Sequence, residues 1–221
     1  MGLVPCDVNT HSTAVMMRQF EINPKHVMHI GAHDGIEADI YDHFNAESVI
    51  WFECNDKLFE DLWTRLDGRK NHVVEPYCLW HKDGETLDFH YYRDEKDGAS
   101  GLFENDKMFD YIKDCPIVGK TQVHTLTFDT WAEEAEGVPW NETDFLNIDV
   151  QGAELNVFKG AQKLLNLSSL KYIWCEVSWD HVYKNAPLME DIDKCLEQYG
   201  FVKIGVRKDW EIHGDALYVK A

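Results

Sequence analysis

The segment Asp144–Gly160, DFLNIDVQGAELNVFKG, constrains the fold of this chain more than any other stretch. A short apolar run, Phe145–Ile148, leads straight into a carboxylate, Asp149, and then into Gly152 and an amphipathic stretch. That order predicts a buried strand that ends on Asp149 and turns directly into a helix, from Gly152 to about Leu165. Open α/β sheets hold their ligands at the carboxyl ends of their strands, so Asp149 is placed for chemistry. An Asp at a strand end also caps the helix that follows, and that role stays open beside the chemical one. Glu154 falls in the first helical turn, where a negative charge suits the helix macrodipole.

The rest of the chain repeats the alternation. Strands are predicted at Val27–Gly31, Ser48–Glu53, Val73–Leu79, Thr86–Tyr92, Val123–Thr127, Lys171–Val177, Phe201–Val206 and Ala216–Lys220. Helical patterns fall at residues 11–22 (capped by Ser12 or Thr13 and closed by Pro24), 36–45, 56–66, 128–136 and 188–199. Strands that alternate with helices imply an α/β fold with a mostly parallel sheet and helices on both faces. The last two strands, separated by a polar turn near Asp209–Asp215, read as a closing antiparallel hairpin. Residues 1–221 are expected to form one domain, with a helical extension over 1–24 and a long irregular segment over 93–120. A loop of that length is a candidate lid or acceptor loop, with Tyr91, Tyr92, Phe103, Phe109 and Tyr111 close by.

The formal charge is -19, from 21 basic and 40 acidic residues. That balance argues against nucleic acid, which is bound by neutralising phosphates with Lys and Arg. It argues equally against an anionic membrane surface. No apolar run approaches a membrane span, and the N-terminus lacks a basic-then-apolar signal pattern. The six cysteines (Cys6, Cys54, Cys78, Cys115, Cys175 and Cys195) form no C-x-x-C pair. A zinc knuckle or redox motif is unsupported, and a reduced, cytoplasmic setting is expected.

The first strand, a loop with Gly31 and Gly35, a helix and a second strand ending on Glu53 form the outline of a nucleotide site. Gly31 and Glu53 are 22 residues apart, near the spacing of ~20 at which a carboxylate grips ribose hydroxyls. The loop is not G-x-G-x-x-G, so a pyrophosphate, and with it a nicotinamide cofactor, is disfavoured. Asp34, with Glu37 close behind, would repel a pyrophosphate and suit a cationic, phosphate-free ligand such as S-adenosylmethionine (SAM).

These segments also carry a resemblance. The stretch LNIDVQGAELNVFKGA (residues 146–161) is similar to the signature of the FkbM-type methyltransferases, roughly hydrophobic-Lys-Ile-Asp-Val-Glu-Gly-x-Glu followed by Leu-Lys-Gly-Ala. Asp149, Glu154, Gly152 and Gly160 match, while Asn147 stands for the usual Lys and Gln151 for the usual Glu. MHIGAHDG (residues 28–35) resembles the family's first motif, with His29 for an acid and His33 for Asn. IWFECN (residues 50–55) resembles its Phe-Glu-Pro segment, with Cys54 for Pro. Together with Asp83–Glu85, Gly98–Leu102 and Val123–Asp129, the resemblance spans roughly residues 25–206.

The resemblance implies a Rossmann-like class I methyltransferase fold with a seven-stranded sheet, SAM as cofactor, and methyl transfer to a hydroxyl of a carbohydrate, glycan or other small hydroxylated acceptor. It implies cofactor contacts from Gly31, His33, Asp34, Gly35, Glu53, Cys54, Asn55, Tyr77, Cys78, Leu79 and Asp149. Asp149, Glu176 and His181 are the catalytic candidates on the acceptor side. Either acid could orient the acceptor or act as base, and the pKa of an imidazole suits base catalysis near neutral pH. The plainer readings are an ion pair for Glu176 and a surface or core position for His181. Asp149 and Glu176 also offer hard oxygens to a divalent ion, although no ligand spacing here supports one. Two other readings remain: a methyltransferase-like domain that binds a partner without turnover, and a nicotinamide-dependent oxidoreductase.

Overall fold

The computed structural model describes residues 5–106, 115–209 and 211–221. Its main sheet comprises β1 (His26–Ile30), β2 (Ser48–Phe52), β3 (His72–Glu75), β7 (Phe145–Ile148), β8 (Tyr172–Ser178), β9 (Phe201–Lys208) and β10 (His213–Lys220), in the order β3-β2-β1-β7-β8-β10-β9. The first five pair in parallel, and β10 runs antiparallel to both β8 and β9. The expected sheet and its closing hairpin are therefore present. The hairpin strands run further than expected, because pairing with β8 extends β10 back to His213.

The helices are α1 (Ser12–Gln19), α2 (Ala38–His43), α3 (Asp56–Leu66), α4 (Phe128–Glu134), α5 (Glu154–Lys159), α6 (Gln162–Leu165) and α7 (Met189–Glu197). Strand β1 shows how they are held. Its alternate residues Met28 and Ile30 pack with α4–α7, and Val27 packs with α1–α3. Side chains alternate across a strand, so a strand buried on both faces feeds two cores.

Four local readings are corrected. The stretch 73–79 is two strands: β3 stays in the main sheet, and β4 (Cys78–Leu79) joins a three-stranded sheet β4-β6-β5. Pro76, without an N–H, sits at the break. In that small sheet β5 is Thr86–Tyr92, and β6 runs from Ile117 to Leu126, so residues 117–120 are strand and not loop. Much of β6 is exposed, so pairing with β5 builds it in place of an alternating apolar pattern. The helix after β7 begins at Glu154 and not at Gly152, because Gln151 (φ 54°) and Gly152 (φ 90°) are left-handed. It also breaks at Gly160, where a Cβ would lie 2.0 Å from the Trp80 carbonyl oxygen. Helix α1 starts at Ser12 with His11 as N-cap, so neither Ser12 nor Thr13 caps it.

The order of strands reverses between β1 and β7: the chain builds outward to β3, then returns to the other side. Open α/β sheets carry their ligand crevice at such a switch point.

Candidate active site

Gly31 follows β1 at this point with φ +83°, and its N–H and that of Ala32 both donate to the Phe52 carbonyl, at 2.9 and 3.0 Å. A Cβ on Gly31 would lie 1.8 Å from the Asp149 carbonyl oxygen. The turns after β1 and β7 therefore touch, which only a glycine in this conformation permits.

A cleft of about 150 Å³ opens beside them, lined by Gly31, His33, Glu53, Cys54, Asn55, Tyr77, Cys78 and Leu79, by Asp149 and Gln151, and by the 97–102 loop with Leu102. Glu53, 8% exposed, organises it. Its Oε2 accepts from the His33 N–H and its Oε1 from the Asn55 N–H, both at 2.7 Å. Burial nonetheless raises its pKa. The Asn55 side chain caps α3 by accepting from the Lys57 N–H at 3.0 Å and donates to the Glu95 carbonyl at 2.9 Å. His33 Nε2 donates to the Lys96 carbonyl at 2.9 Å. Burial opposes charge on His33, but Asp34, the Lys96 carbonyl and Glu53 outweigh it and raise the imidazole to about 9. His33 and Asn55 thus hold the segment after β5 over the cleft. The wall on the Cys78 side is apolar, with Cys54 and Cys78 packed on Phe89 and Leu102.

Two of the residues assigned to the cofactor stand behind it. Asp34 does not line the cleft; its Oδ2 accepts from Arg65 Nη2 and its carbonyl from Arg65 Nε, both at 2.7 Å. His33 and Arg65 hold its carboxyl at about 2. Gly35 (φ +71°) is a packing residue: a Cβ there would lie 2.5 Å from Leu62 on α3. The charge expected to meet a ligand is spent on Arg65.

On the side where the acceptor is expected, Asp149 follows β7 and lines the cleft, part of it open to solvent and its carboxylate desolvated by its neighbours. It lies in a ring of acids: oxygens of Asp149, Glu154 and Glu176 all lie within 4.8 Å of one another. Glu154 Oε1 accepts from the N–H groups of Val150 (2.9 Å) and Gly152 (3.2 Å), pinning the left-handed turn. Burial, and then Asp149, raise Glu154 to about 7. Burial and the neighbouring acids push Glu176 far above the usual carboxylate range, and burial raises Asp149. Carboxylates this close cannot all ionise, so they share protons. Gln151 bridges them: its Nε2 donates to Asp149 Oδ1 and, at 3.3 Å, to Glu176 Oε2, while its Oε1 accepts from the Tyr183 hydroxyl. The donor set would suit a hard cation, yet Glu154 and Asp149 already spend oxygens on these N–H groups.

Glu176 touches the cleft lining through Gln151 and lines neither the cleft nor the second cavity described below. His181 lines neither cavity, and its buried Nδ1 has no hydrogen-bond partner among the described residues. The sequence reading missed Gln151 as a bridge, treating it only as a departure from a motif. It also missed Asp215, which faces Glu176 across the β8–β10 ladder. Nothing local in the sequence signals either. Of the aromatics near the expected loop, Tyr91 and Tyr92 are buried, Phe103 is partly buried, and Phe109 and Tyr111 lie outside the described residues.

A second cavity, of about 190 Å³, lies on the α1 side of the sheet. Ser12, Thr13, His29, Glu37, Asn147, Trp174 and Asp215 line it, and it shares Gly31, His33 and Asp149 with the cleft.

A model of the methyltransferase FkbM domain matches residues 29–203. The chain belongs to the FkbM methyltransferase family. It is thereby a SAM-dependent methyltransferase. No curated protein sequence matches it. Among solved structures, this FkbM domain is similar to magnesium protoporphyrin IX methyltransferase from Synechocystis PCC 6803 with bound SAM, at 11% identity and a TM-score of 0.53, over 97% of this chain and 78% of the other. It is also similar to a SAM-dependent methyltransferase from Aquifex aeolicus, at 12% identity and a TM-score of 0.51, over 98% and 93%. At such identities these likenesses establish the class I fold. Among the described residues, no helix of the FkbM domain is long and apolar enough to cross a membrane.

Proposed function

We propose that this FkbM enzyme methylates a hydroxyl oxygen of a small hydroxylated acceptor, carbohydrates first among them, with Asp149 as the base. The observation that carries the reading is the position of Asp149 on the wall shared by two cavities. One is a cofactor cleft and the other has room for an acceptor.

The residues of the cleft fit SAM. Glu53 faces it with carboxylate oxygens that have lone pairs left for ribose hydroxyls, and Leu79, Phe89 and Leu102 offer an apolar slot for a flat base. No Lys or Arg is among its described lining residues, which suits a ligand without phosphates and disfavours a nicotinamide dinucleotide. Bound SAM would supply a methyl group made electrophilic by its sulfonium. Transfer breaks the sulfur–methyl bond, forms an oxygen–methyl bond, and passes the hydroxyl proton to Asp149. Desolvation at the cleft wall raises Asp149 above its ordinary pKa and makes it a stronger base than a free carboxylate, while Gln151 fixes its direction. The paired turns at Gly31 and Asp149 hold the two halves of the site in one geometry, from which much of the rate derives.

Calorimetric titration with SAM, and with NAD as control, tests the cofactor assignment: SAM binds, and Glu53→Ala abolishes it. Asp149→Asn keeps SAM affinity and loses methyl transfer to hydroxylated acceptors; a variant that still turns over at the wild-type rate removes Asp149 from the mechanism.

A further inference from the structure

The second cavity has a chemistry of its own. It is floored by the ends of β1, β7, β8 and β10 and roofed by the first turn of α1. Three carboxylates, Glu37, Asp149 and Asp215, come to it from three separate parts of the chain, and no Lys or Arg lines it among the described residues. His29 is buried and neutral, held to about 3 by desolvation. His33, the one lining cation, is already engaged by Asp34 and by the Lys96 carbonyl. Outside the cavity, Arg207 reaches Asp215 at 3.3 Å but is shared with Asp209 at 2.6 Å. His11 sits 3.5 Å from Glu37, and burial and then Arg207 keep it below its ordinary pKa.

We propose that this cavity is the acceptor site, and that Glu37 and Asp215 select a hydroxylated acceptor bearing a protonated amine, such as an amino sugar, whose neighbouring hydroxyl meets Asp149. This rests on the methyl-transfer reading above and goes beyond it by naming the acceptor class. A negatively charged acceptor finds no Lys or Arg among the described lining residues to pair with it, and a neutral one gives neither acid a charge partner inside the cavity. Ser12, Thr13 and Asn147 supply further hydrogen-bonding groups for a polyol ring, and Trp174 an apolar face. Burial first, and then neighbouring acids, raise Glu37 to about 7 and Asp215 to about 8, although His11 and Arg207 meet them from outside the cavity. An ammonium group in the cavity meets both acids from its inner side and favours their ionised forms.

Three probes on one scaffold separate the alternatives: glucosamine, glucose and glucuronate. Their binding to the full chain loaded with S-adenosylhomocysteine is read by calorimetry at millimolar concentration, and their methylation by transfer of label from SAM. Glucosamine is expected to bind roughly tenfold more tightly than glucose, the order of one desolvated charge pair, with no binding of glucuronate. Glu37→Gln and Asp215→Asn each reduce that preference and together remove it, while SAM affinity is unchanged. Arg207 keeps Asp209 when Asp215 is replaced, and His11 beside Glu37 is held below its ordinary pKa, so the variants are expected to fold. Equal binding of the three probes, binding of none, or a preference that survives the double variant overturns the assignment. Absence of SAM binding by the wild-type chain overturns the methyl-transfer reading itself, whereas SAM binding without amine preference overturns the acceptor class alone.

Discussion

His29 and Asn147 stand directly opposite each other on β1 and β7, joined through the hydroxyl of Tyr41. Asn147 Nδ2 donates to that hydroxyl at 2.9 Å, and the hydroxyl lies 3.1 Å from His29 Nδ1, with the imidazole stacked on Trp51. The FkbM motifs usually carry an acid at the first position and a Lys at the second. Two departures that look independent in the sequence are thus one change: a neutral chain of hydrogen bonds occupies the place of opposite charges. All three groups are buried, where a neutral network avoids the desolvation cost of an ion pair. His29→Asp alone is therefore expected to destabilise the protein by about 3–5 kcal/mol, the cost of an uncompensated buried charge. Adding Asn147→Lys should recover a large part of the loss. Urea denaturation of the two single variants and the double variant measures the coupling, and additive losses would sink the paired reading.

Asp34 and Glu53 are both acids of the cofactor half, and the structure divides their work. Asp34→Asn leaves Arg65 without its partner carboxylate, with a side chain only 6% exposed, and should cost roughly 1–3 kcal/mol of stability while SAM affinity stays within a few-fold. Glu53→Ala should remove SAM binding. Melting temperatures and SAM titrations of both variants decide the point. Loss of SAM affinity in a well-folded Asp34→Asn protein would return that residue to the cofactor.

Stability should fall as pH rises from about 6.5 to about 9. His33 is raised to about 9 in the fold and Asp215 to about 8, so each holds a proton that the unfolded chain has released. A group with a raised folded-state pKa contributes stability below its unfolded value and loses it as pH climbs through the folded one. Below about 6.5 the trend is opposed, because His29 and His72 are held neutral at about 3 and about 4 and must charge on unfolding. Urea midpoints at pH 6.5 and 9 test this window, and a higher midpoint at pH 9 contradicts it.

Gln151→Glu would bring the motif closer to the family pattern, yet it should harm this chain. The amide donates to Asp149 and Glu176, and a carboxylate cannot. A fourth acid beside Asp149, Glu154 and Glu176 should raise the pKa of Asp149 and keep the base protonated. The expected outcome is a roughly tenfold loss of kcat at neutral pH with partial recovery at higher pH. A purely structural effect would lower the rate at every pH without moving the acid limb of the profile.

The chain's own pattern determined the strands of the main sheet, the acids at their carboxyl ends and the family. An apolar run ending in Asp or Glu beside a glycine is a local signal, readable without knowing what packs against it. The turn at Gly31 and the strand-end positions of Glu53 and Asp149 were therefore legible. The tertiary structure decided what those local signals could not carry. Asp34 and Gly35 look like ligand contacts in a loop, but α3 brings Arg65 and Leu62 against them. Asp215 looks like a turn residue, but antiparallel pairing sets it across from Glu176 and into the second cavity. His181 lay near in sequence and outside both cavities in space. Strand ends are set by chemistry within a few residues, whereas the charge a side chain meets is set by elements that arrive from anywhere in the chain.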